Sequence, residues 1–189
     1  MSAQSNPRVD PDDMRFASLA RPVALVWLTA FASICAWGGE LRTIDDVLKA
    51  YASTLVRTEN LSEEVRAELK GKPELVNPGF VKLDFDGDGK LDVALLTQDI
   101  KREEVVLRLF ICSDVCSEKK KELVGGMGDV FLTKARPGTL VRESDALPGR
   151  SRKLRLRFYA VRVQNFGKSE IVYYWDSRTM SLRSIQTAD

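Results

Sequence analysis

Between Thr43 and Lys70 the apolar residues recur with the period of a helix. Ile44, Val47, Leu48, Tyr51 and Leu55 follow i, i+3, i+4, i+7 spacing and mark one apolar face. Thr43-Ile44-Asp45-Asp46 precedes them as a capping box, with Asp46 in place of the usual Glu. A second helix is predicted from Ser62, with Glu63 and Glu64 in its first turn, stopping near Gly71 and Pro73. From Phe80 onward the period changes to two. The predicted strands are Phe80–Leu83, Val93–Thr97, Val105–Cys112, Val130–Thr133, Thr139–Arg142, Leu154–Val163, Ile171–Trp175 and Leu182–Ile185, separated by glycine, proline and aspartate. Leu154, Leu156 and Phe158 alternate with Arg155 and Arg157, which gives a sheet one wet face. The alternation slips at Val161 and Val163, so a bulge or bend is expected near Ala160. Asn165–Lys168 reads as a turn. The short connections favour meanders, and the expected fold class is α+β, two N-terminal helices packed on an antiparallel β-sheet of meander type.

The segment before the first helix has a different character. Pro22 to Trp37 carries no charge and follows Arg15 and Arg21. A basic start, a short apolar run and small residues such as Ala30, Ala32 and Ala36 describe a secretory signal over residues 1–36, leaving 37–189 as a single domain. The run is shorter than the ~20 residues that span a bilayer comfortably, so no stable membrane span is expected after cleavage. Asp10, Asp12 and Asp13 do not suit a signal, and Met14 is an alternative start. The residues before Cys35 do not fit a lipid-attachment signal. The expected location is periplasmic or secreted.

Composition narrows the chemistry. The chain of 189 residues has 29 basic and 27 acidic side chains, a balance unlike that of a dedicated nucleic-acid binder. It contains no histidine, which removes the commonest general base and the usual zinc ligand. In an oxidising compartment Cys112 and Cys116 read as a disulfide. Ser113-Asp114-Val115 between them suits a three-residue hairpin loop that sets the two cysteines across from each other. The basic residues Arg150, Arg152, Lys153, Arg155 and Arg157 offer an anion-binding surface but read first as a solvated strand face, and the run Lys119-Lys120-Lys121 reads first as a blunted edge. Tyr173-Tyr174-Trp175 alternate faces and read chiefly as core.

One loop stands apart. Asp84, Asp86, Asp88 and Asp92 fall at positions 1, 3, 5 and 9 of a nine-residue segment, with Lys90 at position 7. Calcium takes about 6–8 oxygens, which four carboxylates, the Lys90 carbonyl and water supply. Gly89 at position 6 permits the sharp turn, and Gly87 adds freedom beside it. Without a cation, four carboxylates this close repel one another. In an EF-hand a Glu at position 12 and a helix follow. Here position 12 is Leu95 in a predicted strand. The pattern D-x-D-G-D-G-x-x-D followed by an apolar strand resembles the FG-GAP/VCBS type of calcium loop over about residues 81–96. That resemblance implies Asp84, Asp86, Asp88, the Lys90 carbonyl and Asp92 as ligands. No second copy of the loop is present, and the chain is too short for several propeller blades of ~40–60 residues each. The chain is also similar to small exported bacterial proteins of unknown function.

These features point to an exported calcium-binding domain, with calcium mainly structural, that interacts with a protein or envelope partner and is not an enzyme. Two alternatives stay open. One is a hydrolase using carboxylates such as Asp129 and Glu143, with calcium near the substrate; the other is a small envelope inhibitor.

Overall fold

In the computed structural model the described residues are 41–70, 77–144 and 152–187. The chain divides into two units, Met1–Gly39 and Glu40–Asp189, and every described residue belongs to the second. The predicted signal, Cys35, the helix stop at Gly71 and Pro73, and Arg150 lie outside the described residues.

Helix α1 (Ile44–Tyr51) begins where the sequence places it. The Thr43 side chain accepts from the Asp46 backbone N–H, and the Asp46 carboxylate accepts from the Thr43 backbone N–H at 2.9 Å. The Thr43 hydroxyl also donates to Asp46, and these bonds hold the Asp46 carboxyl below its ordinary pKa. The helix is shorter than the apolar pattern implies. Leu55, assigned above to the helical face, lies beyond it and bridges to Thr97, because the Val56 N–H and Thr54 carbonyl are taken up by the sheet. A 3₁₀ turn, Thr58–Asn60, leads to α2 (Glu63–Leu69), capped by Ser62 through the Val65 N–H.

Among the described residues the strands form three antiparallel sheets rather than one. The first is a meander of β1 (Phe80–Leu83), β2 (Asp92–Asp99), β3 (Glu104–Cys112) and β4 (Cys116–Gly126), in that order. The second contains β5 (Val130–Ala135), β8 (Ala160–Asn165), β9 (Ser169–Asp176) and β10 (Ser181–Thr187), ordered β10-β9-β8-β5. Between β5 and β8 the chain makes a two-stranded sheet of β6 (Leu140–Arg142) and β7 (Lys153–Arg155).

Side-chain alternation explains the layering. In β2, Ala94 and Leu96 face a core shared by both large sheets, together with Leu107, Leu132, Val163 and Tyr173. Val93 and Leu95 face the other way, onto a core with Val47 of α1, Phe110 and both cysteines. A third core joins Ala160, Val172 and Tyr174 to Val141 and Leu156 around the small sheet. The tyrosines therefore enter different cores, as their alternation requires. Helix α2 contributes Val65 and Leu69 to the core between the sheets, so the two helices do not cover one common face.

Two further corrections share this cause. Leu154–Val163 is not one strand: Leu154 and Leu156 belong to one core and Val161 and Val163 to another. A bend at Arg157-Phe158 moves the chain from the small sheet to the large one, a larger break than a bulge near Ala160. Strand β4, absent from the predicted list, is an exposed edge rich in charge, where packing leaves no apolar period to read. Lys119 to Lys121 lie within that edge strand and blunt it.

Candidate metal centre

Residues 84–91 connect β1 to β2, directly paired strands in which Leu83 faces Asp92. Phe85, nearly fully buried in the core between the sheets, pins the loop from inside. Gly87 and Gly89 adopt φ of 84° and 85°, a left-handed backbone that side chains resist. Gly87 has a second constraint. The Phe158 ring lies against it, and a Cβ there would collide with that ring.

The loop's backbone donors organise its carboxylates. Asp84 accepts from the N–H of Gly87 at 2.7 Å and of Gly89 at 3.1 Å. Asp86 accepts from Asp88 N–H at 3.1 Å, and Asp88 from Lys90 N–H at 2.8 Å. The result brings one carboxylate oxygen each from Asp84, Asp86 and Asp88 within 4.8 Å of one another. Two oxygens bound to one calcium at about 2.3–2.6 Å are separated by no more than about 5 Å. The three carboxylates therefore have a spacing that a calcium ion fits. Desolvation, and then the charges of Asp88 and Asp84, raise the Asp86 pKa.

Asp92 occupies a different position. Its two oxygens accept from Phe85 N–H and from Cys112 N–H, each at 2.8 Å, and the side chain is buried behind the loop. Burial, with the charges of Asp86 and Asp88, pushes its pKa up to about 6 against these hydrogen bonds. It closes the loop end to end and is not one of the three carboxylates that cluster. Lys90, proposed to offer its carbonyl, sends its side chain to Asp114 at 3.2 Å.

That ion pair reaches the neighbouring hairpin. Cys112 and Cys116 are paired directly across β3 and β4, with Cα atoms 4.0 Å apart, and form a disulfide. Asp92, through Cys112 N–H, and Lys90, through Asp114, tie this disulfide hairpin to the acidic loop. Sequence reasoning missed this connection and the anchor Phe85. A lone aromatic inside an acidic loop was the available signal for Phe85; nothing in the sequence pairs Lys90 with Asp114. The carboxylates named for hydrolysis are engaged separately: Asp129 pairs with Lys168 at 3.2 Å, and Glu143 accepts from Arg152 N–H at 3.3 Å. Among the described residues no helix is long and apolar enough to cross a membrane. Comparison with protein-family models, curated proteins and solved structures finds no match.

Proposed function

We propose that the chain is an exported calcium-binding domain whose single ion braces the β1–β2 loop, and through it the end of the first sheet that carries the disulfide hairpin. The observation that carries this reading is the convergence of Asp84, Asp86 and Asp88 within 4.8 Å on a loop with two left-handed glycines. The strand that follows Asp92, where an EF-hand has a helix, favours a loop of the FG-GAP/VCBS type. Asp84, Asp86 and Asp88 supply carboxylate oxygens and the Lys90 carbonyl adds a neutral one. Asp92 keeps the loop closed and lends its charge from behind. The disulfide is chemistry suited to an oxidising compartment outside the cytosol. The ion has a structural role, and the folded surface meets a protein or envelope partner.

Calorimetric titration of chelator-treated protein, paired with thermal melts, tests this. Extracytoplasmic calcium modules bind with Kd of about 10⁻⁴–10⁻³ M. At ten times Kd the native state gains about 1.4 kcal/mol, a rise in Tm of roughly 3–6 °C for a domain this size. Magnesium should do less, because it demands a tight octahedron and sheds water reluctantly. Asp84→Ala should abolish the calcium-dependent rise, since it removes one of the three clustered carboxylates. No heat of binding at millimolar calcium, with identical calcium responses for both proteins, refutes the proposal.

A further inference from the structure

We propose a second binding site, independent of the ion, in the groove formed by β7, the bend after it and the β9–β10 turn, and assign it to an organic phosphate: a phosphoryl group carried on a flat or apolar body. The groove has a volume of about 430 Å³, within the ~300–1,000 Å³ typical of small-molecule sites. Arg152, Arg155 and Arg157 line it from one segment, and Arg178 joins them from the β9–β10 turn. Their convergence requires the fold, since Arg178 lies far along the chain from the others.

The charge of this groove is unbalanced. Several other arginines find carboxylates: Arg108 meets Glu118 at 2.7 Å, and Arg162 and Arg183 lie 3.7 Å from Glu170 and Asp176. The four groove arginines make no ion pair with a described residue. Asp176, the one acid among the lining residues, is already shared between Arg183 and the Arg178 N–H. Two of the four side chains are nevertheless held in place. Arg155 donates to the Gly138 carbonyl at 3.2 Å, and Arg157 donates to Ser177 Oγ at 3.2 Å while lying over the Phe158 ring. Those neutral partners position the guanidiniums without neutralising them.

Converging cations with fixed forks match the oxygens of a phosphate, which accepts paired N–H bonds. Tyr159, 40% exposed, and Trp175 add aromatic surface to the same lining. An inorganic ion uses only the first feature; an organic phosphate uses both.

The test is equilibrium titration of the purified protein with phenyl phosphate and with inorganic phosphate, at low and at physiological salt. Arg152→Gln/Arg178→Gln removes two side chains that make no hydrogen bond to a described residue, so its thermal melt should match wild type. Lys119→Gln/Lys121→Gln on β4 removes the same charge elsewhere. Wild type should bind phenyl phosphate saturably and more tightly than inorganic phosphate. The arginine variant should bind roughly tenfold more weakly or worse, and the lysine variant like wild type. Binding to phosphatidylglycerol vesicles but not phosphatidylcholine vesicles, lost in the arginine variant, identifies a lipid headgroup as the phosphate source. Binding of phenyl phosphate without vesicle binding identifies a free one. The proposal is overturned by equal losses in the two variants, or by no saturable binding in either arm.

Discussion

Asp92 shows how one side chain serves fold and site at once. The acidic pattern marks it as a ligand beside Asp84, Asp86 and Asp88, and of the four it is the one whose carboxylate stands outside the cluster the other three form. What the pattern does not contain is direction: Asp92 turns its oxygens toward Phe85 and Cys112, a choice set by pairing between strands distant in sequence. Its buried position has a consequence for pH. A carboxyl raised to about 6 binds its proton more tightly folded than unfolded. The stabilisation is fully present below the ordinary carboxylate pKa and is lost as pH rises through about 6. With solvent screening allowed for, the loss is on the order of 1–2 kcal/mol. In chelator, wild-type Tm should fall between pH 4.5 and 7.5 relative to Asp92→Asn, which lacks the titration. Saturating calcium should cancel that fall, because a cation beside the loop favours the ionised form. Parallel melts of the two proteins in chelator would remove Asp92 as the cause.

Among the elements, legibility follows burial. Helix α1 was readable from Thr43 and Asp46, and β2 and β3 from apolar runs that pack on both faces. Strand β4 was not, since its side chains mostly face water and its pairing partner supplies the order. The break after β7 was hidden because residues of two different cores gave a nearly continuous alternation. The hairpin of β3 and β4 was foreseen from its cysteines, and its disulfide closes a very short loop. In the chain-entropy account a loop this small stabilises by about 2 kcal/mol. Non-reduced protein should show no thiol reactive toward an alkylating reagent at these positions. Cys112→Ala/Cys116→Ala should lower the unfolding free energy by about that amount in urea titrations. It should also weaken calcium binding, since the Cys112 N–H and Asp114 hold Asp92 and Lys90. A variant as stable as wild type, with unchanged calcium affinity, would contradict the link between hairpin and loop.

At the scale of the molecule, the sequence indicated mixed helix and antiparallel strand but not the stacking. Alternation tells which residues share a face; it does not tell which sheet covers that face. The join between sheets is carried by contacts such as the Tyr173 hydroxyl of β9 donating to Glu122 of β4 at 3.0 Å, a pairing without local signal. The arginine groove was legible only in part: the basic stretch with Arg152, Arg155 and Arg157 allows an anion surface, but Arg178 enters it only through the β9–β10 turn. Phe158 belongs to that groove and also packs on Gly87 of the acidic loop. The two proposed ligands, opposite in charge, would thus bind close to one shared ring, and thermodynamic reciprocity would make any coupling between their affinities equal in both directions. A dication neutralising the loop strengthens the positive field felt by an anion near Phe158. Calcium should therefore tighten phenyl phosphate binding, by about fivefold at the low end of known couplings, and phenyl phosphate should tighten calcium by the same factor. Paired titrations measure both arms of the cycle, and a factor of one in each would leave the ring a packing residue alone. If both proposed sites and their coupling hold, the protein would read two concentrations as one: scarce calcium would loosen its grip on phosphate, and abundant phosphate would lower the calcium it needs.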